Sequence, residues 1–182
     1  MCSSDLVEAL RSNITEIVAL LLDRLEAKAS RGEPIDWIAD FAYPLPATVI
    51  MDLLGVPRSD LDRVKVWSED IDLFIGTAQS TPDKYRRAEQ GAAAMAGYFR
   101  TLVEERAKAP RGDMISELVQ ARDGAEVLSA DEVIASCILL LFAGHETTTN
   151  LIGNGLYYTL RTPDAWPRLL SAPELIPSAI EE

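Results

Sequence analysis

The amino-acid sequence predicts a mainly α-helical fold, and three observations carry that prediction. Apolar residues recur with the 3.6-residue period of an amphipathic helix, and the first such pattern runs from Leu6 to Leu25. The helical patterns end at glycine or proline, as at Gly55 and Pro57. One pattern, over about 129–161, predicts a single helix of roughly 50 Å, which is long enough to cross a whole domain.

The first part of the chain predicts two helices joined by a short irregular segment. Residues 5–30 form the first helix, and residues 34–38 form a short extended piece. The second helix ends at Gly55. Its first turn is expected to be irregular because Pro44 and Pro46 lack amide donors, which is tolerated where a helix begins.

The long helix has recognisable signals at both ends. Ser129 can cap it, and Glu132 lies three residues later, which is the spacing of a capping box. Pro163 ends it, because the residue before a proline is pushed out of the helical region. The other elements expected after Pro57 are helices over 59–74, 85–107, 114–121, 164–170 and from 177 onwards, a loop over 76–82 and a small hairpin over 122–128.

The middle of the long helix has an unusual composition for an apolar helix. Gly144 costs about 1 kcal/mol relative to alanine, and threonine hydroxyls can bond back to the carbonyl four residues earlier. Thr147 then reaches Ala143 and Thr148 reaches Gly144, so four small residues share one patch where a flat ligand can approach the backbone. Glu146, beside a hydroxyl, can supply protons there. Close packing of a buried helix explains the small residues equally well.

Composition excludes several classes of function. The 182 residues carry a net charge of −12, which argues against binding to nucleic acid or to anionic membrane surfaces. The longest apolar run, over 133–144, is too short to span a bilayer, and no secretory signal is recognisable. Two cysteines far apart suggest no disulfide framework. A cytoplasmic protein is therefore expected.

Two stretches of this sequence resemble one known family. Residues 143–148, Ala-Gly-His-Glu-Thr-Thr, match the [Ala/Gly]-Gly-x-[Asp/Glu]-Thr-[Thr/Ser] signature on the long central helix of cytochrome P450 monooxygenases. Residues 41–57 contain Phe-Ala-x-Pro-Leu-Pro followed by Leu-Leu-Gly-Val-Pro, as in bacterial cytochromes P450. The chain thus resembles the central helical part of a soluble, bacterial-type cytochrome P450.

The resemblance implies a haem-dependent enzyme that inserts one oxygen atom of O₂ into a small organic substrate. Catalytic roles fall on Thr147, which hydrogen-bonds the activated oxygen or the water that protonates it, and on Glu146, which relays protons. The cofactor-binding residues are Ala143, Gly144, Thr147 and Thr148, where the first two leave room for O₂ and the last packs near the ring. A ferredoxin or flavoprotein supplies electrons, and the helices over 59–74 and 85–107 form the lid of the substrate pocket.

The resemblance covers residues 5–182 but under half of the family's length. Relatives continue after Glu182, which is then the first residue of the Glu-x-x-Arg pair that braces the haem-side fold. The loop with the iron-ligating cysteine and the N-terminal helix that holds a haem propionate are expected to be absent, so residues 1–182 form a partial domain. Cys137 is interpreted as a small buried apolar residue, not as a metal ligand. Haem b is then not securely bound by this part alone.

Other readings of the central stretch are less consistent with the sequence. A zinc protease motif starting at His145 needs a second histidine where Thr149 stands, and His145 is the only histidine. A Cys/His hydrolase is excluded because Cys137 and His145 are about 12 Å apart along one helix. We interpret His145 as a partly buried or surface residue on the helix face that points away from the ligand. An inactive truncated relative, or a helical binding or scaffold module without haem, stays open as an alternative.

Overall fold

The computed structural model describes residues 3–75, 82–123 and 126–181, and it confirms the mainly α-helical fold. The described residues form helices α1 (Ser3–Ser30), α2 (Pro44–Leu54), α3 (Leu61–Ile75), α4 (Lys84–Lys108), α5 (Met114–Gln120), α6 (Ala130–Arg161), α7 (Ala165–Ser171) and α8 (Ile176–Glu181). Single turns of 3₁₀-helix at Arg58–Asp60 and Pro173–Leu175 precede α3 and α8. Among the described residues, no helix combines the length and apolar character needed to cross a membrane.

Helix α6 is the predicted long helix, and its start has the predicted capping box. The Ser129 hydroxyl accepts from the backbone N–H of Glu132 at 3.3 Å, and the Glu132 carboxylate accepts from the backbone N–H of Ser129 at 2.8 Å. At the other end, Thr162 leaves the helical region with a ψ of 120° just before Pro163. Both ends of α6 are therefore determined by neighbouring residues.

The segment before α2 differs from the predicted extended piece over 34–38. Residues 33–36 have no regular structure, but the chain turns into a π-helix at Ile38–Ala42, and Trp37 stacks on Phe41 with ring centroids 4.5 Å apart. The short extended piece therefore ends earlier than expected, because burying these aromatic rings favours a helical turn. Pro44 and Pro46 lie in the first turn of α2, which is regular α-helix where an irregular turn was expected, and the helix ends as predicted at Gly55, with a φ of 83°.

Two apolar clusters hold the helices together. The larger lies between α2, α3, α4, α5 and α6, and Met51, Phe99 and Leu141 are fully buried within it. The smaller joins α1 to the π-helical turn through Leu21 and Phe41. Burial of each such side chain contributes about 1.5–3 kcal/mol. The long α6 thus forms one wall of the main core, and one of its faces is covered by α2.

The predicted hairpin and the helices assigned to the lid are present in the described residues. The hairpin has two-residue strands, β1 (Arg122–Asp123) and β2 (Glu126–Val127), which pair antiparallel. Helices α3 and α4 approach closely at Gly91, where a Cβ atom would lie 2.9 Å from Cβ of Asp70 on α3. Most of the predicted loop between them, residues 76–81, lies outside the described residues.

A buried ion pair ties the end of α2 to α4 and α5. The Arg106 side chain, only 1% exposed, donates to the Asp113 carboxylate at 2.6 Å and to the Gly55 carbonyl at 2.9 Å. The same carboxylate caps α5 by accepting from the backbone N–H of Ser116 at 2.9 Å. Burial alone raises the pKa of Asp113, but hydrogen bonds from Ser116 and Arg106 outweigh it and hold that pKa below its usual value.

Removing the Asp113 carboxylate is expected to destabilise the protein. Asp113→Ala removes the nearer carboxylate from the buried Arg106 guanidinium and leaves only that of Glu105 at 3.5 Å, which costs about 3 kcal/mol, whereas Asp131→Ala breaks only the exposed pair with Arg100 and costs less than about 1 kcal/mol. Urea unfolding of both variants measures the difference. Equal losses in the two variants would contradict the role given to the buried pair.

The contribution of Asp113 is also expected to depend on pH. Its pKa is lowered in the folded state, so its stabilisation is present above the unfolded value of about 3.9 and is lost as the pH falls through the folded value. The difference in unfolding free energy between the wild type and Asp113→Asn should therefore shrink below about pH 4. A difference that is constant from neutral pH into that acid range would oppose this assignment.

Candidate functional site

One face of α6 is open along four turns of the helix. Leu139, Ala143, Thr147 and Leu151 follow one another at four-residue spacing, and all four are exposed, the two leucines by 67% and 57%. Residues at this spacing share a face of a helix. The result is a stripe with small side chains at its centre, leucines at both ends and one hydroxyl, which we call the open stripe.

The back-bonding predicted for the two threonines is confirmed. The hydroxyl of Thr147 donates to the Ala143 carbonyl at 3.2 Å, and that of Thr148 donates to the Gly144 carbonyl at 3.5 Å. The carbonyl in each of these bonds also accepts a backbone N–H of the helix. The hydroxyl is therefore held close to the backbone by a shared acceptor and keeps the capacity for another hydrogen bond. The Thr147 hydroxyl, on the exposed side, is free to form a further hydrogen bond as an acceptor.

Gly144 faces a neighbouring helix. A Cβ atom at this position would lie 2.9 Å from Cγ1 of Ile50 on α2, so the glycine permits the close approach of α2 to α6. This is the packing explanation that the sequence left open for the small residues. Gly144 and Thr148 are half-buried, whereas Ala143 and Thr147 lie on the open stripe. The four small residues thus lie on two adjacent faces, and contact of Gly144 with a cofactor stays a prediction.

His145 is fully buried, so the interpretation of it as a partly buried or surface residue was wrong. Its Nδ1 lies 2.6 Å from the Leu141 carbonyl, one turn earlier on α6. Its ring meets Tyr43 and Phe142 edge-on, with centroids 5.6 Å and 6.2 Å away. Tyr43 belongs to the turn before α2, so the tertiary contact between α2 and α6 buries this histidine.

Glu146 lies between the buried and the open faces of α6. Its carboxylate is 25% exposed, and Oε1 is 3.4 Å from Nε2 of His145. Its charge also reaches α3, since burial and then the Glu146 charge raise the pKa of Asp72. Burial and then the same charge raise the pKa of Tyr43. The carboxylate predicted to relay protons is therefore half-buried and close to other titratable groups.

Tyr43 and Asp72 are the titratable residues near Glu146 that the sequence analysis did not identify. Tyr43 occupies the variable position of the Phe-Ala-x-Pro motif, and Asp72 lies on the predicted lid helix, so no local pattern connects either to Glu146. They come near it because α2 packs directly on α6, whereas α3 packs on α4, which itself packs on α6. Sequence separation of about 75 to 100 residues hides such proximity from any local motif.

Cys137 agrees with its interpretation as a small buried apolar residue. It is fully buried in the main core, and burial followed by the charge of Asp113 raises the pKa of its thiol to about 11. A thiol in that state is not a thiolate ligand at neutral pH. In the described part of the chain, no group of three or more His, Cys, Asp or Glu side chains is arranged to hold a metal ion. Glu182, predicted to begin a Glu-x-x-Arg pair, lies outside the described residues.

Comparison with known protein families identifies the chain. The family model for cytochrome P450 matches residues 2–171. The chain belongs to the cytochrome P450 family. That match includes α1 to α7, so both the stripe-bearing α6 and the two helices of the predicted lid lie within the cytochrome P450 homology.

Curated bacterial cytochromes P450 are similar over nearly all of this chain. Mycinamicin IV hydroxylase/epoxidase of Micromonospora griseorubida is 42% identical over 175 residues, which is 96% of this chain and 42% of that protein. The biotin biosynthesis cytochrome P450 of Bacillus subtilis is 36% identical over 175 residues, covering 96% of this chain and 43% of that protein. The chain therefore spans about two fifths of the length of these relatives.

Solved cytochrome P450 structures have the same arrangement of helices. P450BioI, in complex with an acyl carrier protein that carries hexadec-9Z-enoic acid, superimposes with a TM-score of 0.85 at 34% identity, over 96% of this chain and 43% of that one. Myxobacterial CYP267B1 in complex with myristic acid also gives 0.85, at 38% identity, over 98% of this chain and 42% of that one. The described helices are thus the helical part of the cytochrome P450 fold.

Two glycines of α6 provide a matched test of the contact between α2 and α6. Gly144→Ala places a methyl group against Ile50 and is expected to destabilise the cytochrome P450 chain by about 1–2 kcal/mol, because overpacking outweighs the gain in helix propensity. Gly155→Ala meets no atom within 4 Å and is expected to stabilise it by up to about 1 kcal/mol. Thermal unfolding compares the two, and a stabilising Gly144→Ala would contradict the contact.

Proposed function

We propose that this chain supplies the oxygen-facing side of the haem site in a cytochrome P450 monooxygenase, which inserts one atom of O₂ into a small organic substrate. The observation that carries the proposal is the open stripe, in which Ala143 and the Thr147 hydroxyl lie between two exposed leucines. Membership of the cytochrome P450 family supports it.

The open stripe has the properties that a haem-facing surface requires. Haem b is flat and largely apolar, and its iron activates O₂ when it is bound and reduced. Leu139 and Leu151 offer apolar contacts to such a ring, while the methyl group of Ala143 leaves space above its centre. Gly144 acts from behind the stripe, since it lets α2 support α6, and Thr148 packs beside it. The exposed residues therefore fit this cofactor.

Glu146 and Thr147 are proposed to deliver protons on this face. The Thr147 hydroxyl, held by the Ala143 carbonyl, can accept one hydrogen bond and pass on its own proton toward the open stripe. The Glu146 carboxylate is partly in solvent and can replace that proton. The proposed proton transfer runs from solvent to the Glu146 carboxylate and then to the hydroxyl of Thr147, the next residue of α6, on the exposed face.

The iron ligand, the propionate partners and the proximal side of the haem are proposed to come from parts of the protein outside these 182 residues. Buried Cys137, with its raised pKa, is not suited to replace the cysteine thiolate that ligates haem iron in this family. We propose that residues 1–182 form a partial cytochrome P450 domain that does not hold haem securely by itself.

The substrate and the electron donor are proposed at the level of class. Helices α3 and α4, which pack closely at Gly91, are proposed to form the lid of the substrate pocket. One relative is named mycinamicin IV hydroxylase/epoxidase, and two similar solved structures are complexes that contain hexadec-9Z-enoic acid or myristic acid. These names support a small, mostly apolar organic substrate here. A ferredoxin or flavoprotein is proposed to deliver the electrons, in the cytoplasm.

The haem proposal is tested by the spectrum of the reduced, carbon-monoxide-treated protein. The complete protein that carries this sequence is expected to give a haem-thiolate spectrum, and the isolated 182-residue chain is not. A thiolate spectrum from the isolated chain would contradict the partial-domain proposal. Absence of haem binding by the complete protein would instead favour the alternative, a helical binding or scaffold module without haem.

Thr147→Ala tests proton delivery in the complete protein. This variant is expected to keep haem and to oxidise NAD(P)H, but to divert electrons to hydrogen peroxide, because the hydroxyl that passes on the proton is missing. Thr147→Ser, which keeps the hydroxyl, is the control and is expected to retain most of the coupling. Product formed per NAD(P)H consumed is the measurement, and full coupling in Thr147→Ala would remove the role assigned to this residue.

A further inference from the structure

The hydrogen bond of His145 within α6 determines which ring nitrogen carries a proton. Nδ1 lies 2.6 Å from the Leu141 carbonyl, and a carbonyl oxygen can only accept a hydrogen bond. Nδ1 must therefore be the donor. In a neutral imidazole the other nitrogen, Nε2, is then a bare acceptor.

That second nitrogen faces another acceptor. Nε2 of His145 lies 3.4 Å from Oε1 of Glu146, and an ionised carboxylate accepts hydrogen bonds but donates none. Nε2 is buried and has no hydrogen-bond partner among the residues that the structure describes. At 3.4 Å the two acceptors do not form a hydrogen bond, and a proton placed between them would let them approach to bonding distance and give the buried Nε2 a partner.

We propose that His145 and Glu146 share one proton between Nε2 and Oε1, and that His145 is the positioning residue that holds the carboxyl group beside Thr147. The ring cannot turn away to avoid Glu146, because Nδ1 is anchored to Leu141 and the rings of Tyr43 and Phe142 pack against its edges. The proton source is then the pair, not the carboxylate alone.

Charged groups of α3 lie near the pair. Asp72 interacts with Glu146, and Asp62 and Glu69 act on Tyr43, whose ring packs against His145. The ammonium group of Lys65 lies 5.4 Å from the centroid of the Tyr43 ring.

This inference rests on the proposed role of Glu146 and Thr147 and adds a step to it. One proton leaves Oε1 toward the Thr147 hydroxyl, and the pair is left as neutral His145 and ionised Glu146. One proton from solvent then restores it through the exposed quarter of the Glu146 side chain. The buried imidazole keeps the carboxyl group in one orientation through both states, so that each transfer starts from the same geometry.

The shared proton is tested by nitrogen-15 NMR of the complete protein labelled with ¹⁵N-histidine. The His145 signals are assigned by their loss in His145→Phe or, if that variant does not fold, in His145→Asn. We expect a protonated Nδ1 and an Nε2 signal that reports a shared proton. Glu146→Gln is expected to move Nε2 toward an unprotonated acceptor while Nδ1 stays as it was. An Nε2 signal that is the same in both proteins, or a ring protonated only at Nε2, would overturn the proposal.

The role of His145 in positioning Glu146 is tested by the amount of product formed per NAD(P)H consumed, which is the coupling, and by the solvent isotope effect on turnover. His145→Phe keeps an aromatic ring against Tyr43 but removes both nitrogens, and we expect product per NAD(P)H to fall about tenfold and the isotope effect on turnover to rise. Cys137→Ala, a substitution on the same buried face of α6 about two turns earlier, should change neither. Unchanged coupling in a folded His145→Phe protein would overturn the proposal.

The two proposals fail in different ways. If the complete protein gives no haem-thiolate spectrum, the monooxygenase function fails, and the NMR comparison of wild type and Glu146→Gln still reports on the proton. If the spectrum and product formation are present and Glu146 variants alter the isotope effect but His145 variants do not, only the inference about the pair fails.

Discussion

The close approach of α2 to α6 is the constraint on which the site depends. It is possible because Gly144 has no side chain where Ile50 of α2 lies. The approach brings Tyr43 at the start of α2 against His145, and the buried ring of His145 in turn faces Glu146. One missing methyl group therefore influences the position of a carboxylate two residues further along α6. Protein interiors are packed densely enough that such a displacement cannot be absorbed locally.

The far end of α2 is held by charge instead of by apolar packing. Arg106 donates to the Gly55 carbonyl that ends α2 and to Asp113, which caps α5, so one guanidinium joins three elements. A buried ion pair of this kind contributes less to net stability than to the uniqueness of the arrangement, because desolvation offsets much of its attraction. Together the glycine contact and the ion pair fix α2 at both ends relative to the core that carries α6.

Different faces of α6 have separate tasks. The face with Cys137, Leu141 and His145 is buried and stabilises the fold. The adjacent edge holds the half-buried Glu146, and the open stripe with Thr147 is exposed toward the proposed cofactor. A straight run of α-helix gives this division directly, since successive residues turn by about 100° around the axis. The proposed proton supply, the proposed reaction face and the core packing can therefore occupy consecutive residues without interfering with one another.

Local interactions explain what the sequence by itself determined. The ends of α6 follow from Ser129, Glu132 and Pro163, and the threonine back-bonds follow from carbonyls four residues earlier, so both could be predicted from neighbouring residues. The motifs around residues 41–57 and 143–148 identified the family for the same reason. Only the tertiary structure decided that His145 is buried, that Gly144 faces Ile50 and that Glu146 lies near Tyr43 and Asp72. These depend on how distant helices pack, and no pattern within one helix encodes that.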